Sequence, residues 1–438
     1  MAGAPQSPAP VGRFRRRARS AVVDTSALRQ APAFRLMWSG QVISEFGRQV
    51  VIIAMPFQVY VRTGSTLSIG LLALVELVSI LGLSLPAGAV ADSMDRRKVL
   101  MATQGAMVLS TLLLLGTAVV PDSPVLLIYV AAFGFSAASS LDRPARKAAL
   151  YGMVPKPLLN SAVGVDQASI QLASVCGPAV AGLVIGTLGL PAAYAFAVAG
   201  FLWMIFVVFR LGDRIAATAG SLRRIQGIRE GLRFVRNRPV ILSTMAIDFT
   251  AMVFGFPSAL FPVLALSVFN VGAPGLGLIA AAPAAGALVA SLLSGVFTQI
   301  RRKGIGVVVF VCLWGAAITA FGLSTFSFPL ALLFLSIAGA CDVGAAVLRA
   351  SIVQGNTPDE MRGRVVSINL LAVNSGPRLG DLEASFVASL TSAAFSIASG
   401  GILCIVGTLL VARRFRQLLV YVDPNVPGSA TAPAAAPS

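Results

Sequence analysis

Long apolar stretches recur along the chain, separated by short polar turns or by clusters of basic residues. Each runs for about 20 residues or more, the length a helix needs to cross the hydrocarbon core of a bilayer. The pattern predicts twelve spans, at 36–61, 66–90, 98–120, 125–146, 162–187, 191–211, 239–267, 274–298, 304–324, 328–352, 365–389 and 392–412. Residues 1–35 form a basic N-terminal arm rich in Ala, Pro and Arg, expected to be disordered. Residues 36–211 carry the first six spans and 239–412 the second six. Between them, 212–238 is a linker in which Ile228 to Pro239 reads as a basic amphipathic helix on the membrane surface. Residues 413–438 are a second tail, again expected to be disordered.

The two halves resemble each other at a spacing near 200 residues. The turn GAVADSMDRRK, Gly88 to Lys98, has a shorter counterpart in GVFTQIRRK, Gly295 to Lys303. Gly177-Pro178 in span five is matched by Gly376-Pro377 in span eleven. A repeat of this size implies two duplicated bundles, with a cavity between them near the membrane midplane. The expected fold is an all-α polytopic membrane protein, twelve transmembrane helices in two pseudo-symmetric six-helix bundles.

Composition agrees and removes other classes. Of 438 residues, 56% are hydrophobic and only 12% charged, against about 45–50% and about 25% in soluble domains. The four cysteines, Cys176, Cys312, Cys341 and Cys404, lie in apolar runs without the paired spacing of a metal or redox site. There is no histidine, so the commonest catalytic base and neutral metal ligand are missing. No cofactor and no metal are expected. An enzyme would need a nucleophile with its base or a metal cluster, and an ATP-driven pump a Gly-x-x-x-x-Gly-Lys loop; neither is found in the sequence.

The net charge of +17 would suggest nucleic acid, but its placement points elsewhere. Basic residues cluster before span one, at Arg96 to Lys98, at Arg143 to Lys156, in the central linker, at Arg301 to Lys303, at Arg349 to Arg364 and after span twelve. The alternate turns are bare except for Arg62. Basic loops are retained on the cytoplasmic side, so both termini are expected inside a bacterial inner membrane, with anionic lipid headgroups as partners of that face. The first span carries Glu45 and Arg48 and is followed by no small-residue cleavage site, so it is kept as a span and not read as a signal peptide.

Motifs then narrow the class. Gly88, Asp92, Arg96 and Arg97 after span two match the loop signature of the major facilitator superfamily, while Ser93 and Asp95 depart from it. SVCGPAVAG, Ser174 to Gly182, resembles the span-five motif of that superfamily's antiporters through Gly177, Pro178 and Gly182, with Ala181 in place of a glycine. PAFR at Pro32 to Arg35, NTPDEMRGRV at Asn356 to Val365 and RRFRQ at Arg413 to Gln417 bring the chain nearer the enterobactin exporter branch, also called transmembrane secretion effectors. The resemblance covers about residues 30–420. It implies alternating access between two bundles, with Gly88, Asp92, Arg96, Arg97 and Arg143 as a gating latch and Gly177, Pro178 and Gly182 as a kinked, closely packed gate.

Charged residues inside spans are costly, about 2.5–3.5 kcal/mol each on insertion scales, so each is a site candidate. They are Glu45 and Arg48 in span one, Glu76 in span two, Asp248 in span seven, Asp342 in span ten, and Arg378, Asp381 and Glu383 in span eleven. Glu45/Arg48 and Arg378/Asp381 are three apart and share a helical face, which also suits simple internal salt pairs. Asp248 and Asp342 have no arginine within one turn and are candidates for carrying a proton. Phe46, Phe57, Phe249, Phe254, Phe256 and Phe261 mix with Gln41, Ser44, Gln49 and Asn374 as a candidate cavity wall.

These readings converge on a monomeric, proton-coupled exporter of a small amphipathic molecule, a siderophore or a drug-like compound. A lysophospholipid or nutrient transporter of the same fold, or a non-transporting sensor or scaffold, remains an alternative. The topology has a direct check. A cysteine placed at Ser123 is expected to react with an impermeant thiol reagent on intact cells, and one at Ser221 only after lysis. The reverse pattern would overturn the twelve-span arrangement.

Overall fold

The computed structural model describes residues 24–93, 95–120, 122–212, 215 and 224–422, and no strand occurs among them. Without water in the bilayer core, a backbone must satisfy its own hydrogen bonds, and a helix does so within one segment. Spans one to four are helices Pro32–Thr63, Thr66–Ser93, Arg96–Val119 and Val125–Gly152. Spans five and six form one helical stretch, Leu159–Leu211, bent at Gly189, whose φ of 85° suits a residue without a Cβ. Span seven begins as Pro239–Phe254 and continues irregularly to Val268. Spans eight to twelve are Gly272–Leu292, Lys303–Leu323, Phe328–Gly355, Asp359–Leu390 and Ala393–Arg414.

Among the described residues, nine helices are long and apolar enough to cross a membrane, counting the bent pair once. Span two contributes the shorter apolar stretch Thr66–Gly82, and span eleven is set apart by its charges. The helices mostly start or stop within a turn or two of the predicted limits. Leu109, Leu126, Leu188 and Leu292 project outward and exposed, an arrangement that belongs in lipid rather than water.

The tails are more ordered than expected. Ser26–Gln30 is helical, and span one starts at Pro32. Ala27 donates its N–H to Ser161 Oγ at 3.1 Å, and Ala27, Ala31 and Phe34 are buried against the first bundle. At the other end Arg416–Val420 is helical with Leu418 buried. In both cases apolar residues at helical spacing find a covered face, which a composition-based reading of a tail overlooks. Residues 1–23 and 423–438 lie outside the described residues. The linker helix Arg224–Arg236 also does more than lie on a surface. Val235 packs with Ile241 and Val365, and Glu230 pairs with Arg364 at 2.9 Å, tying the linker to the second bundle.

The six helices of each half pack together, and the densest crossings between halves are two helix pairs, five with eight and two with eleven. Both use small residues, which let backbones touch where no hydrophobic force draws helices together in lipid. A Cβ on Gly182 would sit 2.5 Å from the Ala273 carbonyl oxygen, and one on Gly277 would sit 2.7 Å from the Pro178 carbonyl oxygen. A Cβ on Gly70 would meet Ser385 at 2.8 Å. Tyr60 and Ser267 share a 2.7 Å hydrogen bond between spans one and seven. All these contacts lie toward the end with the bare turns. Arg62, the basic exception there, holds the turn between spans three and four, donating to Val120 O at 2.9 Å, Ser123 O at 2.9 Å and Ser123 Oγ at 2.7 Å.

The antiporter-like motif therefore acts through approach. Pro178 sits within the helix, and the departure from helical dihedrals comes eleven residues later at Gly189. Gly177 faces span one, where a Cβ would meet Gln49 Cβ at 2.6 Å, while Gly182 faces span eight. Overpacking such a contact costs about 1–3 kcal/mol. Gly182→Leu is expected to lower the thermal midpoint of the purified protein by several degrees, on the order of that cost. Gly105→Ala, where a Cβ meets nothing within 4 Å, should leave it unchanged. Equal midpoints for Gly182→Leu and wild type would show the two helices are not in contact.

Candidate functional site

Intramembrane charges gather in three clusters, and each has a structural reason for its place. The first joins spans one, three and four. Arg48 Nε donates to Glu45 Oε2 at 2.9 Å, and Arg48 Nη2 to Glu45 Oε1. Arg143 Nη2 reaches the same Oε1 at 3.4 Å. Next to Arg143 on span four, Asp142 accepts from Thr103 Oγ1 at 3.1 Å, from Gln104 Nε2 at 2.7 Å and from Arg146. Arg146 also donates to Ser44 Oγ at 3.3 Å. Nearby, Gln41 and Tyr151 both donate to Asp166, the latter at 2.8 Å. All of these side chains are buried or half-buried except Arg143, whose side chain is 54% exposed.

The second cluster crosses between bundles. Arg378 Nη1 of span eleven lies 2.9 Å from Glu76 Oε2 of span two and 3.3 Å from Asp381 Oδ2 of its own helix. Asp381 in turn accepts from Ser258 Oγ at 2.8 Å and from the Ala259 N–H at 2.8 Å. Those donors exist because span seven breaks after Phe254. Gly255-Phe256-Pro257 cannot continue the helix, since the residue before a proline is pushed out of the α region. A broken helix leaves amides without intrahelical partners, and Asp381 satisfies one of them from a neighbouring helix. One guanidinium thus links spans two and eleven directly and the break in span seven through Asp381.

The third cluster lies in the second bundle. Arg349 Nη2 is 2.6 Å from Asp248 Oδ1 of span seven and 4.0 Å from Asp342 Oδ1 of its own span. Asp248 and Asp342, which have no arginine within one turn along the sequence, share one in the fold. Arg349 is seven residues beyond Asp342, two full turns along the same helix face, outside the one-turn window that sequence spacing considers. Asp342 keeps a half-open position, its side chain 38% exposed. It borders a cavity of about 200 Å³ with Phe256, Pro283, Ala284, Ala287, Trp314, Leu335 and Ala338 of the second bundle and Gln171 of span five. Of the expected wall aromatics, Phe256 lines this space, and Phe261 is buried edge-on against Phe256 and Phe321. Gln41 and Gln49 bond instead within the first bundle, to Asp166 and Ser174.

The loop signature is only partly visible. Span two is helical through Gly88 and Asp92, but their side chains lie outside the described residues, as does that of Asn374. Arg143 is engaged with Glu45, and Arg146 with Asp142 and Ser44. Asp95, a departure from the family pattern, has a local role: its Oδ1 accepts from the Arg97 N–H at 2.9 Å and caps span three. An aspartate directly before a helix was a signal the sequence already carried. Arg97 also stacks its guanidinium 5.9 Å from the Phe209 ring centre. Three residues of these clusters lie outside the expected set: Asp142, Asp166 and Arg349. Asp142 and Arg146, four apart, were legible as a pair; Asp166 and Arg349 find their partners only through the fold or across two turns.

Comparison with known proteins places this architecture. The family model described as transmembrane secretion effector matches residues 24–421. The enterobactin exporter EntS of Citrobacter koseri is 27% identical over 416 residues, covering 93% of this chain and 98% of that protein. The same exporter from Shigella flexneri is 27% identical over 403 residues, covering 90% and 96%. Among solved structures, a bacterial homologue of the iron transporter ferroportin superposes with a TM-score of 0.68 at 14% identity, covering 90% of this chain and 100% of that one. A bacterial homologue of the lysosomal transporter Spinster gives 0.68 at 13%, covering 89% and 98%. Fold and family are those of transporters, not enzymes.

The bundle-crossing pair generates a stability prediction. Removing one partner of a buried pair costs about 3–5 kcal/mol, because the other charge is left behind. Arg378→Gln is expected to lower the thermal midpoint markedly, and adding Glu76→Gln should restore part of the loss. A double mutant no more stable than Arg378→Gln would mean the two side chains are not energetically coupled.

Proposed function

The chain belongs to the transmembrane secretion effector family of major facilitator transporters, and from that membership we propose that it is a proton-coupled exporter of a small amphipathic molecule. Export is favoured by relatives named as enterobactin exporters, which also makes a siderophore or a compound of similar amphipathic character the favoured cargo class. The protein acts as a monomer in a bacterial inner membrane, its basic end facing the cytoplasm and anionic lipid headgroups. The bundles touch toward the bare end through Tyr60/Ser267 and Gly182/Gly277. With that orientation, this is the state that receives cargo from inside.

The observation that carries the coupling is the position of Asp342. Glu45, Asp142, Glu76 and Asp381 are each held by an arginine or by several donors. Asp342 shares Arg349 with the closer Asp248 and borders open space. A carboxylate that takes and releases a proton needs such access, and no histidine is present to substitute. Loading from the acidic outside and release to the cytoplasm would alternate with cargo movement the other way. Glu45 is the next candidate, through the half-exposed Arg143 beside it. The gating roles of Gly88, Asp92, Arg96 and Arg97 at the basic end, and of Gly177, Pro178 and Gly182 at the bare end, complete the cycle.

Uptake of an amphipathic dye such as ethidium into inverted vesicles, with and without a proton gradient, tests the reading. Gradient-dependent accumulation is expected. Asp342→Asn should retain counterflow at saturating dye and lose gradient-driven accumulation. If both activities persist, the coupling carboxylate lies elsewhere; if wild type never accumulates dye in response to a gradient, while counterflow is intact, proton coupling is wrong.

A further inference from the structure

The cavity beside Asp342 has a size and a charge that together describe an occupant. Its volume is about 200 Å³, below the roughly 300–1,000 Å³ of pockets that enclose a whole drug-sized ligand. It is close to the roughly 150 Å³ space that accepts a single benzene. Trp314 is buried and Phe256 half-buried at its wall, and Ala284 and Ala287 of span eight leave the room that larger residues would fill. One end therefore admits one ring and a short substituent, not a complete amphipathic molecule.

The charge is uneven. Asp248 and Asp342 both pair with Arg349, at 2.6 and 4.0 Å, so two carboxylates share one guanidinium. Asp248 has the close contact, and Asp342 is left turned toward the cavity with a formal negative charge not matched within the cluster. An apolar wall raises the value of any counter-charge placed there, and aromatic faces attract cations as well. A carboxylate or phosphate would meet repulsion at the same point.

We propose that this cavity is a subsite for one ring-sized apolar group bearing an ammonium, the ring lying among Trp314, Phe256 and Ala287 and the ammonium donating to Asp342. The proposal rests on the export reading and specifies it: the cargo carries an aromatic or cycloaliphatic amine as one of its parts. Asp342 then has two claimants, a proton and an amine, and only one can hold it at a time.

The test uses the full-length protein with Trp38→Phe and Trp203→Phe, so that Trp314 is the one remaining tryptophan. The probe is 4-bromophenethylamine, whose bromine quenches indole fluorescence on contact, with 4-bromophenylacetate as the anionic comparator. Saturable quenching by the amine is expected. Losing the charged acceptor in Asp342→Asn, or filling the space in Ala287→Leu, should weaken the apparent affinity by about tenfold or more, and the carboxylate should quench only as weakly as it does in those variants. Equal quenching by the carboxylate, or amine quenching of undiminished affinity in both variants, would overturn the subsite. Quenching needs no gradient and no vesicle. Specific quenching with absent export therefore supports the subsite and rejects the export reading alone, whereas export without specific quenching rejects the subsite alone.

Discussion

An ionised side chain at the centre of a spanning helix costs about 2.5–3.5 kcal/mol on insertion scales, and this protein carries one or more in each of several spans. The cost is met by bringing opposite charges together from different helices, and those meetings fix how the helices are arranged. Spans one and four are held by Glu45, Arg48 and Arg143; spans seven and ten by Asp248 and Arg349; spans two and eleven by Glu76 and Arg378. Helix association in lipid has little hydrophobic drive, so these pairs, with the small-residue contacts, carry the specificity of packing that a hydrophobic core carries in water.

The two kinds of contact divide the work between bundles. Glycines at 182 and 277 let backbones meet toward the bare end, and such contacts separate without leaving a buried charge behind. The Glu76–Arg378 pair is different. It lies roughly midway along spans two and eleven, and separating it would strand two charges in the membrane. The break in span seven is tied into the same junction, because Asp381 receives the amide that the break releases. The irregular stretch after Phe254, near the cavity, is thereby tied to the junction of spans two and eleven.

The halves are related by sequence repeat but unlike in charge. In the first bundle three arginines face two acids within one cluster, while in the second one arginine serves two. The same scaffold, repeated, thus carries a different supply of charge in these two clusters.

The sequence by itself determined the spans and their number, because length and hydropathy act on each segment separately. It also identified the family, and it pointed to Glu45/Arg48 and Arg378/Asp381 as pairs, since three residues bring two side chains onto one helical face. It left Asp248 and Asp342 without a named partner. Their partner, Arg349, is two turns from one and on a different span from the other, and only packing brings all three together. Glu76 was visible as a buried charge, but that it crosses between bundles was not, because a single segment carries no information about its neighbour. The same holds for Gly182: the motif announced a special helix, and only the tertiary structure showed its glycine against Ala273 and Gly277 of span eight. Local rules read what one helix does alone; the site is made by what several helices must do for each other's charges.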